Sequence, residues 1–401
     1  MNLAGLVELV ASEPAVAEAL EDARSGAITA LDIASPEAIR PLLVAALAST
    51  SRPILLITST YREAESLTAS LGSILGTDAV AYYPAWETLP HERLSPRSDT
   101  VGRRLSVLRR LAGNDELPPP HVIVAPVRAV LQPQVKGLGD LLPVTVVAGE
   151  DFDIDALARA LADAAYVRVD LVERRGEFAV RGGIVDVFPP TEEHPVRIDF
   201  FGDTVEEIRH FQVADQRSDP DTLPEITAYP CRELLITDAV RSRARAHAQN
   251  GQIPGHLREL FERVAEGHAV DGMEALSPAL VDGLELLVDV VPGDTIVAVS
   301  DPEKVRARAL ELHATSQEFL AASWAAAAEG GRAPIDLGAS AYRSLSDVRT
   351  TALDRGHAWW TLSAFAEDPA SRQVAAVAGE TFRGDTERAL ERRAERALKE
   401  A

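Results

Sequence analysis

The chain has 401 residues, 46% of them hydrophobic and 25% charged, which is ordinary for a soluble globular protein and gives enough length for two to four domains. No run reaches eighteen apolar residues, the start Met1-Asn2-Leu3-Ala4-Gly5-Leu6 lacks the basic stretch of a secretory signal, and Cys231 is the only cysteine, so no spanning helix or secretory signal is expected, no intrachain disulfide can form, and the cytoplasm is the simplest location. A net charge of −22 argues against a broad nucleic-acid-binding surface, which needs clustered basic residues.

The first stretch reads as alternating strands and helices. Ala27–Ile33 is a strand candidate, followed by a helix from about Pro36 to Ala48, with Ser35 placed to cap it and Pro36 at the first helical position. Pro53–Thr58 is a short apolar run suited to a buried parallel strand, and Arg62–Leu75 has apolar residues near helical spacing. Ala79–Tyr83 and His121–Ala125 are further strands. From about Val144 the pattern changes to closely spaced strands: Tyr166–Val172, Glu177–Val180, Ile184–Phe188, Val196–Phe201 and Val205–Phe211. Arg181-Gly182-Gly183 and Phe201-Gly202-Asp203 are turn signals between them. With no room for crossover helices, this predicts an antiparallel sheet. Helical patterns return at Asp238–Ala248, Pro254–Gly267 and Pro302–Ala321, with a strand at Thr295–Ser300. Glu367–Arg372 reads as a linker and Asp385–Ala401 as a charged helix that needs a partner. The fold class is therefore α/β, a parallel sheet interrupted by a small α+β domain. The expected divisions are residues 1–138, 139–225, 226–366 and 367–401.

Chemistry is sparse. A nucleotide-hydrolysing α/β domain needs Gly-x4-Gly-Lys-Ser/Thr after its first strand, so that backbone N–H groups and a lysine surround the phosphates. Here that position reads Asp32-Ile33-Ala34-Ser35-Pro36-Glu37, with two acids, no lysine, and a proline lacking an N–H. The nine histidines show no metal spacing, and no nucleophile elbow surrounds a serine. Neither a catalytic residue nor a metal ligand is assigned. Arginine carries almost all of the positive charge, and its rigid fork suits recognition of carboxylates.

Two segments carry a resemblance. Tyr82-Tyr83-Pro84-Ala85-Trp86-Glu87-Thr88-Leu89-Pro90-His91-Glu92-Arg93-Leu94-Ser95-Pro96 and the run from Arg174 to Phe188, continued by Val196-Arg197-Ile198-Asp199-Phe200-Phe201-Gly202-Asp203, are similar to the N-terminal part of bacterial transcription-repair coupling factors (the Mfd family), with an actinobacterium-like, high-GC source. The second segment also resembles domain 2 of the excision-repair protein UvrB. The resemblance implies a degenerate P-loop-type domain split by a UvrA-binding domain. It also implies a second lost feature of the ATP site. Where UvrB-like motors have Asp-Glu, this chain has Asp301-Pro302, and Asp301 reads as a helix N-cap. Asp32, Ser35, Asp301 and Pro302 thus mark a degenerate site, and no cofactor is expected for this chain. ATP and magnesium belong to the family's motor domains, which lie outside it.

By the same resemblance, the UvrB arginines that bind UvrA fall on Arg168, Ala179 and Arg181, of which Ala179 departs from the pattern. Phe178 and Phe188 are candidate aromatic neighbours, whereas Arg174 and Arg175 have weaker support. UvrB's aromatic DNA-gripping hairpin is shortened to Tyr82–Trp86, and Trp86 reads as packing. The implied partners are UvrA and, for the whole family protein, its own C-terminal domains in a closed state. RNA polymerase and DNA would be reached through regions outside this chain, and no membrane is implied. Phe382-Arg383-Gly384-Asp385 resembles the start of the family's next domain. The implied role is recruitment of UvrA to stalled polymerase. The alternatives are a UvrB-type ATP-dependent damage-binding protein and a DNA-binding module.

Overall fold

Ile54–Thr58, Val122–Pro126 and Ile296–Ser300 are five-residue strands with every residue buried, as expected for the centre of a parallel sheet covered on both faces. In the computed structural model, which describes residues 4–250, 253–330, 333–335, 338, 341–366 and 371–375, they lie in a seven-stranded sheet. Its order is Arg372–Gln373, Ala30–Ala34, Ala358–Ser363, Ile296–Ser300, Ile54–Thr58, Val122–Pro126 and Val80–Tyr82, and every pairing is parallel. Strand periodicity sends Leu55, Ile57, Val297 and Val299 into the core on one face. Ile54, Leu56, Ala298 and Trp360 enter the core on the other. Ile296–Ser300 is inserted between strands from the first third of the chain and one from its end, so a single sheet is built from both sides of the middle domain.

The middle domain is a six-stranded sheet in the order Ser218–Thr222, Thr204–Phe211, Val196–Phe201, Ile184–Val187, Glu177–Arg181 and Val167–Arg168. All pairings are antiparallel except the last. Helix Ile154–Asp163 contributes Leu157 and Leu161 to a core shared with Phe178, Val185, Val187, Ile198 and Ile208. Val144–Val147 pairs antiparallel with Glu225–Ala228, so the chain enters and leaves this domain side by side. A further cluster, on helices Asp238–Ala248 and Gly255–Ala265, has its own core around Phe261, Met273 and Leu280.

Several local expectations need correction. Tyr166–Val172 forms a strand only at Val167–Arg168. Tyr166 is buried in the core and Ala165 takes a positive φ of 66°, so the backbone is already turning there. Ser35 does not cap a helix. It is 1% exposed, and its Oγ has no hydrogen-bond partner among the described residues. Pro36 precedes a short 3-10 turn, and the α-helix begins only at Arg40. Arg372, expected in a linker, extends the parallel sheet and pairs with Glu18 and Asp22. Asp385–Ala401 and Phe382–Asp385 lie outside the described residues.

Helix Ser98–Ala112 joins the two sheets. Arg104, wholly buried, pairs with Glu233, also buried, just beyond the exit of the middle domain. The same guanidinium donates to the carbonyl of Pro84 at 3.0 Å and lies 4.4 Å from the Tyr83 ring centroid. Trp86 Nε1 donates to Glu233 at 2.9 Å, which gives Trp86 a packing role. Near the start of the helix, Ser98 Oγ donates to the Arg175 carbonyl at 3.0 Å, and Gly102 abuts Pro190 so closely that a Cβ would collide. Removing one member of a buried pair leaves an uncompensated charge, at a cost of about 3–5 kcal/mol. Arg104→Met should therefore lower the unfolding free energy by about that amount in urea titrations. The double variant Arg104→Met/Glu233→Leu should recover part of the loss.

Candidate partner-binding face and the strand ends of the parallel sheet

The carboxyl ends of parallel strands are where open α/β sheets bind ligands. At the ends of Ala30–Ala34 and Ile296–Ser300 the chain's own polar side chains bond one another. Asp32 Oδ1 accepts from Thr361 Oγ1 at 2.6 Å and Ser363 Oγ at 2.8 Å. Arg40, 2% exposed, reaches from the start of the following helix and donates to Ser300 Oγ at 3.1 Å and Asp301 Oδ1 at 3.0 Å. Ser300 Oγ donates in turn to Glu63 Oε1 at 2.8 Å. An arginine–carboxylate pair thus lies at this end of the sheet, and Pro302 opens the helix behind it.

The expected capping role of Asp301 is not what forms. Its carboxylate makes no cap hydrogen bond, and its backbone is left-handed, with φ 52°. The side chain is drawn instead to Arg40 and to Lys304 Nζ at 2.6 Å. The hydrogen bond from Arg40, opposed by burial and assisted by Lys304, holds Asp301 below the ordinary aspartate pKa. Among the described residues no group of three or more His, Cys, Asp or Glu side chains could hold a metal, and no helix is long and apolar enough to cross a membrane.

The middle sheet presents a different surface. Its inner face is apolar, and its outer face combines arginines and carboxylates with a small buried cluster of Val172, Ala179, Phe188 and Phe211. Asp186, wholly buried, receives two hydrogen bonds from Arg197, at 2.7 and 3.0 Å, and a further one from Arg181. Arg209 bonds Asp199 and Glu207 at 3.1 and 3.2 Å. Arg168 and Arg181, both exposed, flank a notch lined also by Val169, Asp170 and Val180.

Phe178 and Phe188 are not surface residues. Phe178 is 1% exposed in the domain core, because strand alternation turns it inward opposite Val187. Phe188 is buried with Val172, Ala179 and Phe211 under the Arg175 guanidinium, 4.9 Å away. Arg175 itself donates to the Glu192 carbonyl. Ala179 is buried in the same cluster.

The exposed aromatic is Phe201, 80% accessible at the turn before Gly202. Sequence reasoning missed it, although the signal was present. Val196, Ile198 and Phe200 alternate inward, so of two adjacent phenylalanines the second must face out. Arg197 was missed for the same reason. On the pleat, Arg181, Ile184 and Asp199 are cross-strand partners, and Phe201 follows Asp199 on that face.

A parallel-sheet body interrupted by this antiparallel domain is a UvrB-like arrangement, and residues 144–234 match the UvrB interaction domain family. Over 384 residues the chain is 47% identical to the transcription-repair-coupling factor of Mycobacterium tuberculosis, covering 92% of this chain and 31% of the relative. It is 37% identical over 268 residues to that of Myxococcus xanthus, covering 62% and 22%, and 30% identical over 299 residues to that of Bacillus subtilis, covering 70% and 25%. The chain belongs to the transcription-repair coupling factor family, as its N-terminal region, and the mycobacterial similarity agrees with an actinobacterial source. It spans about a third or less of the length of these relatives.

The Arg40–Asp301 pair makes a pH-dependent contribution. A depressed carboxylate pKa stabilises the fold fully above the unfolded-state value and loses that effect as pH falls through the folded-state value. Asp301→Asn should therefore lower Tm near pH 7. The difference from wild type should shrink between about pH 5 and pH 2 in thermal scans.

Proposed function

We propose that this chain is the partner-recruiting module of a transcription-repair coupling factor. It binds UvrA through the outer face of the middle sheet and turns over no ATP of its own. The observation that carries this reading is the conjunction of Arg181 and Arg197 with the exposed Phe201 on the outer face, and of Arg168 on the edge strand beside Arg181, on the domain that matches the UvrB interaction domain. Forked donors beside an exposed aromatic are the composition of a binding hot spot. The parallel-sheet body acts as scaffold. Its former phosphate site has no lysine, and Arg40 lies across its mouth. In the whole protein, polymerase and DNA are engaged through regions beyond this chain. The face described here is covered against the C-terminal part until the factor opens. Opening and UvrA binding then favour each other by linkage.

Arg168→Ala/Arg181→Ala should keep the far-UV spectrum of the wild type, because Arg197 still holds Asp186, with Tm lowered only by loss of the Arg181–Asp186 contact, and should weaken UvrA binding by about 10-fold or more in a titration. A folded double variant that binds UvrA as well as wild type would sink the assignment. In the same preparation, ATP should give no turnover above a no-protein blank, with or without DNA. Turnover that scales with chain concentration would restore the reading of a UvrB-type enzyme. Salt-sensitive DNA binding near physiological ionic strength would instead favour a DNA-binding module, against the charge of −22.

A further inference from the structure

Asp186 is a buried carboxylate on a face otherwise suited to bind anions. It stands at the middle of strand Ile184–Val187, with Ala179 opposite it on one side and Arg197 on the other. Its full burial would be costly without compensation, and two guanidinium groups supply it. They are held differently. Arg197 commits Nε and Nη2 to Asp186 and Nη1 to the Gln216 carbonyl and Ser218 Oγ, at 3.1 and 3.4 Å, and its guanidinium lies 4.8 Å from the Phe211 ring centroid. Arg197 is 16% exposed and saturated with acceptors. Arg181 meets Asp186 through Nη2 alone, and its side chain is 44% exposed. The remaining N–H groups of Arg181 have no other acceptor among the described residues and face solvent.

We propose that Asp186 is a positioning residue that clamps the Arg181 fork against the immobile Arg197, so that the face recognises a carboxylate pair on its partner by geometry rather than by net positive charge. The inference rests on the UvrA-binding reading and deepens it. A free arginine loses side-chain entropy on binding. One already tethered through one nitrogen has lost part of that freedom, and its planar remainder stays open for bidentate contact. Two models of the face then differ in sign. If it attracted its partner by charge alone, neutralising Asp186 would raise the local positive charge and tighten binding. If the fork must be held, the same change weakens binding.

The test titrates purified UvrA with the full chain carrying Asp186→Asn, Arg181→Lys or Arg181→Ala, with circular dichroism and Tm recorded for each. Asp186→Asn should weaken binding about 10-fold despite the added positive charge. Arg181→Lys, which keeps the charge but not the fork, should bind no better than Arg181→Ala. Asp186→Asn binding as tightly as wild type or tighter would overturn the clamp, as would Arg181→Lys at wild-type affinity. If Asp186→Asn fails to fold, the exposed Arg181→Lys variant decides alone. If Arg181→Ala itself binds UvrA normally, the reading of the face as the UvrA site fails, and the clamp with it. Weakening by Arg181→Ala without weakening by Arg181→Lys removes the clamp and leaves the site.

Discussion

The arrangement depends on the buried pair between Arg104 and Glu233. A charge with no exposed surface is tolerated only if its partner is fixed in place, and each of these residues fixes a different part of the molecule. Arg104 belongs to the body, on the helix that follows the Tyr82–Pro96 segment. Glu233 lies just after the middle domain returns to the body. Tyr83, Pro84 and Trp86 all make contact with one or both. The loop, the helix and the returning chain must therefore come together at once. The tight contact of Gly102 with Pro190 and the Ser98–Arg175 hydrogen bond extend the same junction. The middle domain is thus tied to the body at Pro190 and Arg175, while its inner sheet face packs on its own helix Ile154–Asp163.

The body is a parallel α/β sheet whose strand-end polar groups at Ala30–Ala34 and Ile296–Ser300 bond one another. In such sheets the strand ends gather unpaired polar groups, which an incoming ligand satisfies. Here Arg40, Ser300, Glu63 and Asp301 satisfy one another, and Asp32 is engaged by Thr361 and Ser363. That arrangement supports the proposal that the sheet has become a scaffold. These internal ion pairs and hydrogen bonds help to hold the first and last thirds of the chain together.

The strongest apolar runs were legible in the sequence because burial on both faces leaves continuous stretches, as at Ile54–Thr58 and Ile296–Ser300. The alternating strands of the middle domain were legible for the opposite reason. Helix Ser98–Ala112 was not read, because three of its buried residues are Arg104, Arg109 and Arg110. Each is satisfied by acceptors far away or around a turn, such as Glu233 for Arg104 and the Leu141 carbonyl for Arg109, and hydropathy cannot anticipate that. The separate core of the helices between Leu234 and Leu280 was hidden in the same way, because its boundary is set by packing rather than composition. At the candidate site, the arginines proposed by resemblance, Arg168 and Arg181, are exposed, whereas the aromatics proposed beside them, Phe178 and Phe188, are buried. Phe178 faces the domain core by the parity of its strand, opposite Val187, whereas Phe188 falls on the other parity and is buried in the small cluster with Val172, Ala179 and Phe211; parity applied to Phe200-Phe201 points to the exposed ring. The role of Asp186 was invisible because it requires knowing that Arg197 lies beside it across a strand pair.

The account rests on one surface being the working face of the molecule. Hydrogen–deuterium exchange of the full chain, with and without saturating UvrA, tests that directly. The predicted result is slowed exchange confined to peptides covering Val167–Val169, Arg181–Ile184 and Arg197–Phe201, with the strand ends around Thr58–Glu63 and Ser300–Lys304 unchanged. Protection centred on those strand ends, or none in the middle sheet at saturation, would contradict it.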